Sequence, residues 1–370
     1  MSDALAANPR RAFGGKTAVL HGVRDFRIEQ RPAFDASSLG PHEVLLAPRA
    51  VGICGSDMHY WGSACIGGRD IPFPAVHATR FGGVMGHEAA GRVLAVGSAV
   101  TRVRVGDRVA IEAGVPCGGC SYCLGGRYNL CGEMKFLGSF LSDYSGALTA
   151  TMAHDEHFVF PLPASVSFEE AAMLEPLSVG LQAVKRGKVR MGDRVLVAGA
   201  GPVGLMALLA AKAAGATRVG ITDINAARLA LAGRFGADAT FCLPADGAAF
   251  AATGGDWDVA IECTGVGPSF GACVERVRRG GRIVLVGMGD LAVSLRQVQI
   301  KELDVAGVYR YCNTYAAALQ LVASGAIDLK PMVTHHFGLD EITQAFETLR
   351  DDPTAIKIMI HPTTDGELID

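Results

Sequence analysis

No stretch of this chain is apolar for long enough to cross a bilayer, which takes about 20 residues. The longest apolar run, 195–211, is bracketed by Arg194 and Lys212 and broken near its start by Gly199, Gly201, Pro202 and Gly204. It reads as strand, turn and helix. Neither sign of charge is in excess: 34 Lys and Arg stand against 37 Asp and Glu, for a net −3. Nucleic-acid binding calls for a concentrated basic face, and none is expected. Internal repeats and low-complexity linkers are absent as well. The opening residues, MSDALAANPRRAFGGKTAVL, contain no apolar segment ahead of a cleavage site, so a cytoplasmic chain is expected.

With no sign of an oxidising compartment, the 10 cysteines are not expected to pair as disulfides. Cys54, Cys65, Cys242, Cys263, Cys273 and Cys312 are scattered, but Cys117, Cys120, Cys123 and Cys131 fall in CGGCSYCLGGRYNLC, a C-x2-C-x2-C-x7-C spacing. Such a loop folds back so that four thiolates converge on one tetrahedral zinc. Four sulfurs close the coordination sphere, so this ion holds structure. The x7 gap matches none of the ferredoxin spacings. Upstream lies a second set of ligand types, Cys54, His87 and Glu88, suited to a site with one open position.

At 370 residues the chain is long enough for two domains. The first part reads as β-rich: EVLLAPRAVGIC, AGRVLAVG and GDRVAIEA are short and separated by turn residues. In the middle, RVLVAGAG, RVGITD, DVAIECTG and RIVLVGMG alternate with Ala- and Leu-rich helical stretches. That alternation predicts a doubly wound parallel sheet. The last segment, AIKIMIHP, reads as a strand able to rejoin the first domain's sheet.

Gly199-Ala-Gly201-Pro202-Val203-Gly204 follows the strand RVLVA, and the next strand ends in Asp223. Strand, glycine turn, helix and acid together form the dinucleotide fingerprint. The glycines let backbone approach a pyrophosphate at the helix N-terminus. Asp223 can accept from ribose hydroxyls and would repel a 2′-phosphate, which favours NAD. Arg228 is a candidate to pack on the adenosine, and Val286 and Gly287 complete the expected cofactor contacts.

Gly86-His87-Glu88-Ala89-Ala90-Gly91, with Gly97 and Val100, fits G-H-E-x2-G-x5-G-x2-V, and Cys54-Gly55-Ser56-Asp57-Met58-His59-Tyr60-Trp61 fits the companion first-ligand segment. On these motifs the chain resembles the zinc-dependent medium-chain dehydrogenases over essentially its whole length. Within them it is most similar to the polyol (sorbitol and xylitol) dehydrogenases, through ICGSDMHYW, GRYNLC, LEPLSVG and YRYCNTY. The resemblance implies an α/β chain: a discontinuous β-rich GroES-like catalytic domain and a Rossmann cofactor domain. The implied segments are 1–177, with a zinc lobe at 112–135; 178–311 for the cofactor domain; and 312–370 as a return segment.

It further implies two zinc ions per chain, NAD, and a homo-oligomer, tetramer or dimer. Cys54, His87 and Glu88 are then the direct ligands, with Glu175 holding the zinc-bound water and the site switching between the two glutamates. Asp57 orients the ligand histidine. Ser56 and His59 carry the alcohol proton outward, while Tyr60, Arg310 and Tyr311 line the pocket, Arg310 pairing with substrate hydroxyls or with Glu175. The expected reaction is hydride transfer from a secondary alcohol of a polyol to NAD. Alternatives are a sugar-acid dehydrogenase of the idonate 5-dehydrogenase type, a simple-alcohol or threonine dehydrogenase, and a dinucleotide-binding redox sensor that has lost its zinc chemistry. Two departures bear on substrate: the long Gly/Pro-rich loop within 62–85, and Leu137 where an aromatic residue is expected.

Overall fold

The strand Glu43–Gly52, EVLLAPRAVG, is buried at every position but its first, the pattern of a strand with partners on both sides and layers on both faces. In this computed structural model, which describes residues 13–363 apart from 64, 67–68, 74–76, 78, 80 and 290–294, that strand is the hub of a sheet. On one side it pairs along its length with Glu88–Val96. On the other it has two partners in succession. Val44, Leu45 and Leu46 face the strand Thr149–Asp155, whereas Val51 and Gly52 face Lys357–His361. Pro48 cannot donate to a ladder, and the register with Glu88–Val96 shifts between Pro48 and Ala50.

Among the described residues the sheet has nine strands. From one edge the order is Val159–Pro161, Arg108–Ile111, Glu88–Val96, Glu43–Gly52, Thr149–Asp155, Phe13–Gly22 and Asp25–Arg31, with Lys357–His361 and its parallel partner Val333–Gly338 joined at the hub. The helix Ile342–Asp351 connects those last two strands and packs on them. Leu20, Leu46, Val51, Ile111, Phe346 and Ile358 belong to one continuous core.

Among the described residues the second unit holds a six-stranded sheet, parallel throughout, in the order Ala239–Cys242, Arg218–Asp223, Arg194–Ala198, Trp257–Glu262, Val277–Leu285, Asp304–Gly307. This is the doubly wound order whose reversal point, beside the first strand, receives dinucleotides. The apolar run 195–211 is split as expected into the strand Arg194–Ala198 and the helix Pro202–Ala213.

The chain divides into Met1–Glu175 with Asp328–Asp370, and Pro176–Ile327. The second boundary differs from the expected 311/312. The helix Tyr315–Ala323 falls within the cofactor unit, with Tyr315 1% exposed and its ring 5.8 Å from that of Tyr311.

His154, on Thr149–Asp155, is fully buried. Its Nε2 donates to the Glu112 carbonyl at 3.0 Å, and its Nδ1 has no partner. Burial pushes its pKa down to about 4, against the opposing pull of that hydrogen bond. The folded chain therefore refuses a proton that the unfolded chain accepts near pH 6.5. The associated stability is complete above that pH and is lost as pH falls toward 4, amounting to about 2 kcal/mol by pH 5. Denaturant unfolding at pH 7 and pH 5 should show His154→Gln losing less stability than wild type across that interval by about this amount. Equal losses would count against neutral burial of the ring.

Candidate active site

The hub strand also builds the candidate metal centre. Gly52 lies opposite Glu88 in the ladder, and a Cβ on Gly52 would meet Glu88 Oε2 at 2.1 Å. Glycine at 52 is therefore what admits the carboxylate. Two residues later Cys54 leaves the strand. Gly86, at φ +95°, turns the chain into His87 with a conformation that favours glycine. One ligand atom each from Cys54, His87 and Glu88 lies within 4.8 Å of the others. His87 is 6% exposed and Glu88 1%.

The helix Gly55–Ser63 follows directly. Its Asp57 accepts from the Cys54 backbone N–H at 2.9 Å through Oδ2. The other oxygen, Oδ1, stands 3.6 Å from His87 Nδ1 and is buried without a hydrogen-bond partner. Burial opposes charge on His87, but the carboxylate of Asp57 and the thiol of Cys54 outweigh it and hold the imidazole well above its ordinary pKa. A soft thiolate, an imidazole steered by a carboxylate and a third oxygen donor are a set that fits zinc with one position open.

Lys357 is a residue the sequence reading missed. It is 1% exposed, and its ammonium donates to both Glu88 oxygens at 2.7 Å and to the Ile53 carbonyl at 3.0 Å. Burial works against its charge, but Glu88 and Cys54 hold its pKa above the usual lysine value. The available signal was a lysine inside the apolar strand KIMI. Glu88 is thus shared between a metal-ligand cluster and a buried cation.

Glu175 is buried in the first turn of the helix Leu174–Arg186 and lies outside the group of mutually close ligand atoms. Its charge, secondary to burial, helps push Glu112 up to about 7. Glu112 also accepts from the Tyr128 hydroxyl at 2.7 Å, which ties this buried carboxyl to the cysteine lobe. In that lobe Cys120 and Cys123 Sγ are 3.4 Å apart and Cys117 and Cys123 Sγ 4.0 Å. All four sulfurs lie within 4.8 Å of one another. Sulfurs around one zinc at about 2.3 Å stand about 3.8 Å apart, so the lobe fits the ion. Backbone N–H groups of Gly119 and Cys120 hold the Cys117 thiol down to about 7.

The helix Gly55–Ser63 places Ser56 half-buried, His59 exposed and Tyr60 5% exposed. Tyr60 packs 6.0 Å from Phe81, and burial raises its pKa. Leu137 is in the core. The loop within 62–85 lies partly outside the described residues. In the second unit, Arg310 lies 5.0 Å from the Tyr309 ring centroid and Tyr311 is buried.

In the cofactor unit, Gly199 has φ +98°. Gly204 approaches it so closely that a Cβ would meet the Gly199 carbonyl at 1.8 Å. Gly201 caps the helix Pro202–Ala213 with no side-chain hydrogen bond, leaving the first-turn N–H groups available to an anion. Asp223 accepts from Ala200 N at 2.7 Å and Asn225 N at 2.8 Å, fixing its carboxylate beside the glycine turn. The Nε of Arg228 is buried without an acceptor. Val286 and Gly287 donate their N–H groups to the Glu262 carbonyl at 2.8 and 3.0 Å. Glu262, also missed from sequence, is fully buried and accepts from Thr264 N, Gly265 N and Ser269 Oγ at 2.8, 3.0 and 3.0 Å. It thereby holds the loop that faces Gly287.

Comparison with known proteins gives the same class. Residues 40–164 match the alcohol dehydrogenase GroES-like domain and residues 202–324 the zinc-binding dehydrogenase domain. Sorbitol dehydrogenase of Macaca fascicularis is 42% identical over 365 residues, covering 96% of this chain and 97% of that one. An oxidoreductase of unknown specificity from Escherichia coli superposes with a TM-score of 0.85 at 35% identity, covering 94% and 98% of the two chains. The L-idonate 5-dehydrogenase of Escherichia coli superposes at 0.84 and 27% identity, covering 94% and 97%. The chain belongs to the zinc-dependent medium-chain dehydrogenases. It is an oxidoreductase whose cofactors are zinc and NAD(H).

Two outcomes follow from this geometry. Cys120→Ser should remove one zinc per chain and lower the thermal midpoint, while the remaining folded protein keeps turnover; unchanged stability with that zinc gone would deny the lobe a structural role. Lys357→Met should leave Glu88 as a buried, unpaired charge, at about 3–5 kcal/mol. Zinc at the cluster supplies a replacement cation, so the loss measured by denaturant unfolding should be larger in chelator than in zinc. Equal losses would mean that Lys357 and the metal do not share Glu88.

Proposed function

We propose that the chain oxidises a secondary hydroxyl of a polyol to a ketone with NAD. The observation that carries this reading is the cluster of half-buried Cys54 with buried His87 and Glu88, beside the Asp57 carboxylate, in a chain so similar to sorbitol dehydrogenase. Zinc bound there supplies a Lewis acid that lowers the pKa of a coordinated hydroxyl. Cys54, His87 and Glu88 would hold it, and the Asp57 carboxylate, 3.6 Å from His87 Nδ1, would orient the imidazole. Glu175, buried in the first turn of the helix Leu174–Arg186, would hold a water bound to that ion. The hydroxyl of Ser56 relays the proton, accepting from the substrate hydroxyl as it passes its own on through the cofactor ribose, and His59, exposed one helical turn on, takes it up and releases it to solvent. On the cofactor unit Asp223 binds the adenosine ribose, and the loop held by Glu262 supports the nicotinamide end. Tyr60, Arg310 and Tyr311 bind the further hydroxyls of the substrate. The likeness to L-idonate 5-dehydrogenase favours a second reading, a sugar acid whose carboxylate pairs with Arg310. We place the enzyme in the cytoplasm as a homo-oligomer, tetramer or dimer.

A screen of alditols and aldonates with NAD and with NADP separates the two substrate classes, turnover of neither being the result that overturns both. Arg310→Ala should lower kcat/KM on the preferred polyol roughly 10- to 100-fold, the worth of a hydrogen bond from a charged donor. On a simple secondary alcohol the loss should be small. The same loss on both substrates would remove Arg310 from the polyol pocket.

A further inference from the structure

Three side chains outside the dehydrogenase site converge on the return segment. His336 lies on Val333–Gly338 and His361 ends Lys357–His361. The parallel register puts Gly338 opposite His361, so His336, two residues from Gly338, shares the face of His361. Their rings stack 5.8 Å apart at 16°. Glu169 reaches them from the helix Phe168–Ala172. Its Oε1 is 2.9 Å from His336 Nδ1 and 3.2 Å from His361 Nε2, and one ligand atom from each of the three lies within 4.8 Å of the others.

From these contacts we propose that Glu169, His336 and His361 form a third metal site, for a divalent ion of the zinc type, which clasps the return segment to the helix Phe168–Ala172.

The donor set, two imidazoles and one carboxylate, is one that proteins use for zinc. Ligand atoms around one such ion at about 2.05 Å stand about 3.3 Å apart, close to the two separations present. The second nitrogen of His361 is already committed: Nδ1 lies 2.9 Å from the Arg49 carbonyl. A carbonyl there requires Nδ1–H, which leaves Nε2 to face Glu169, the second-nitrogen arrangement that orients metal-binding histidines. Without metal, Nε2 must also carry a proton to satisfy the carboxylate. The Glu169 hydrogen bond accordingly raises the pKa of His361, and the same bond lowers that of Glu169. A divalent ion displaces this shared proton and neutralises the carboxylate without disturbing the bond to Arg49. His336 is 54% exposed and Glu169 30%, so the ion enters from solvent. Cys54, His87, Glu88 and the four cysteines of the lobe take no part.

The test uses untagged full-length protein holding its resident zinc, dialysed against buffered free Zn2+, with bound zinc counted after gel filtration and the thermal midpoint followed. Wild type should take up one equivalent more than His336→Ala or Glu169→Gln, and its midpoint should rise with Zn2+ where theirs do not. Affinity for that equivalent should fall roughly tenfold or more in each variant. Both variants alter side chains that are at least 30% exposed, and their midpoints in low zinc establish that they fold. The same zinc count and the same zinc-dependent shift in wild type and both folded variants would overturn the site.

Discussion

A buried ion pair holds the catalytic unit's logic together. Glu88 and Lys357 meet through two 2.7 Å hydrogen bonds at 1% exposure. Neither charge is tolerable there alone, since removing one partner of such a pair is strongly destabilising. The pair therefore demands that Glu88–Val96, the hub strand and Lys357–His361 be in register together. Gly52 makes space for the carboxylate, and the Ile53 carbonyl takes another of the lysine's hydrogens. The same register delivers Cys54 and His87 to the carboxylate they would share with zinc.

Placement of charge is equally deliberate on the cofactor side. Buried Glu262 spends its carboxylate on the N–H groups of Thr264 and Gly265, so a loop with few side chains of its own is held rigid by one residue. Asp223 does the same for Ala200. In both places an acid anchors backbone beside a glycine. Glycine supplies the approach: a Cβ at Gly287 would meet Gly265 N at 2.1 Å.

Much of this was legible in the sequence because it was local. The cysteine lobe, the glycine turn with Asp223, and the Gly86-His87-Glu88 segment each bring chemistry and spacing within one continuous stretch of chain. Alternation of strands and helices read out the parallel sheet for the same reason. Lys357 was not legible, because its partner lies far away in sequence and only the shared hub strand brings them together. Glu262 was hidden similarly, reading as the end of an apolar strand. That the compact cofactor unit runs on to Ile327 was not legible, because the unit to which a helix belongs is decided by packing, which composition does not reveal. His336 belongs to no motif, and only the register of two parallel strands sets it beside His361.

The two-partner edge of Glu43–Gly52 has a consequence for synthesis. The strand leaves the ribosome early, with Thr149–Asp155 following to cover its first half. Its second half has no neighbour on that side until Lys357–His361 emerges, after the whole unit Pro176–Ile327 has been made. The cofactor unit is continuous in sequence and can close as soon as it is translated. The catalytic unit must wait with an open edge, and open edges invite pairing with other chains. The enzyme's vulnerable interval is thus the time taken to translate its own insert, and slowing elongation there lengthens the exposure of a half-covered sheet.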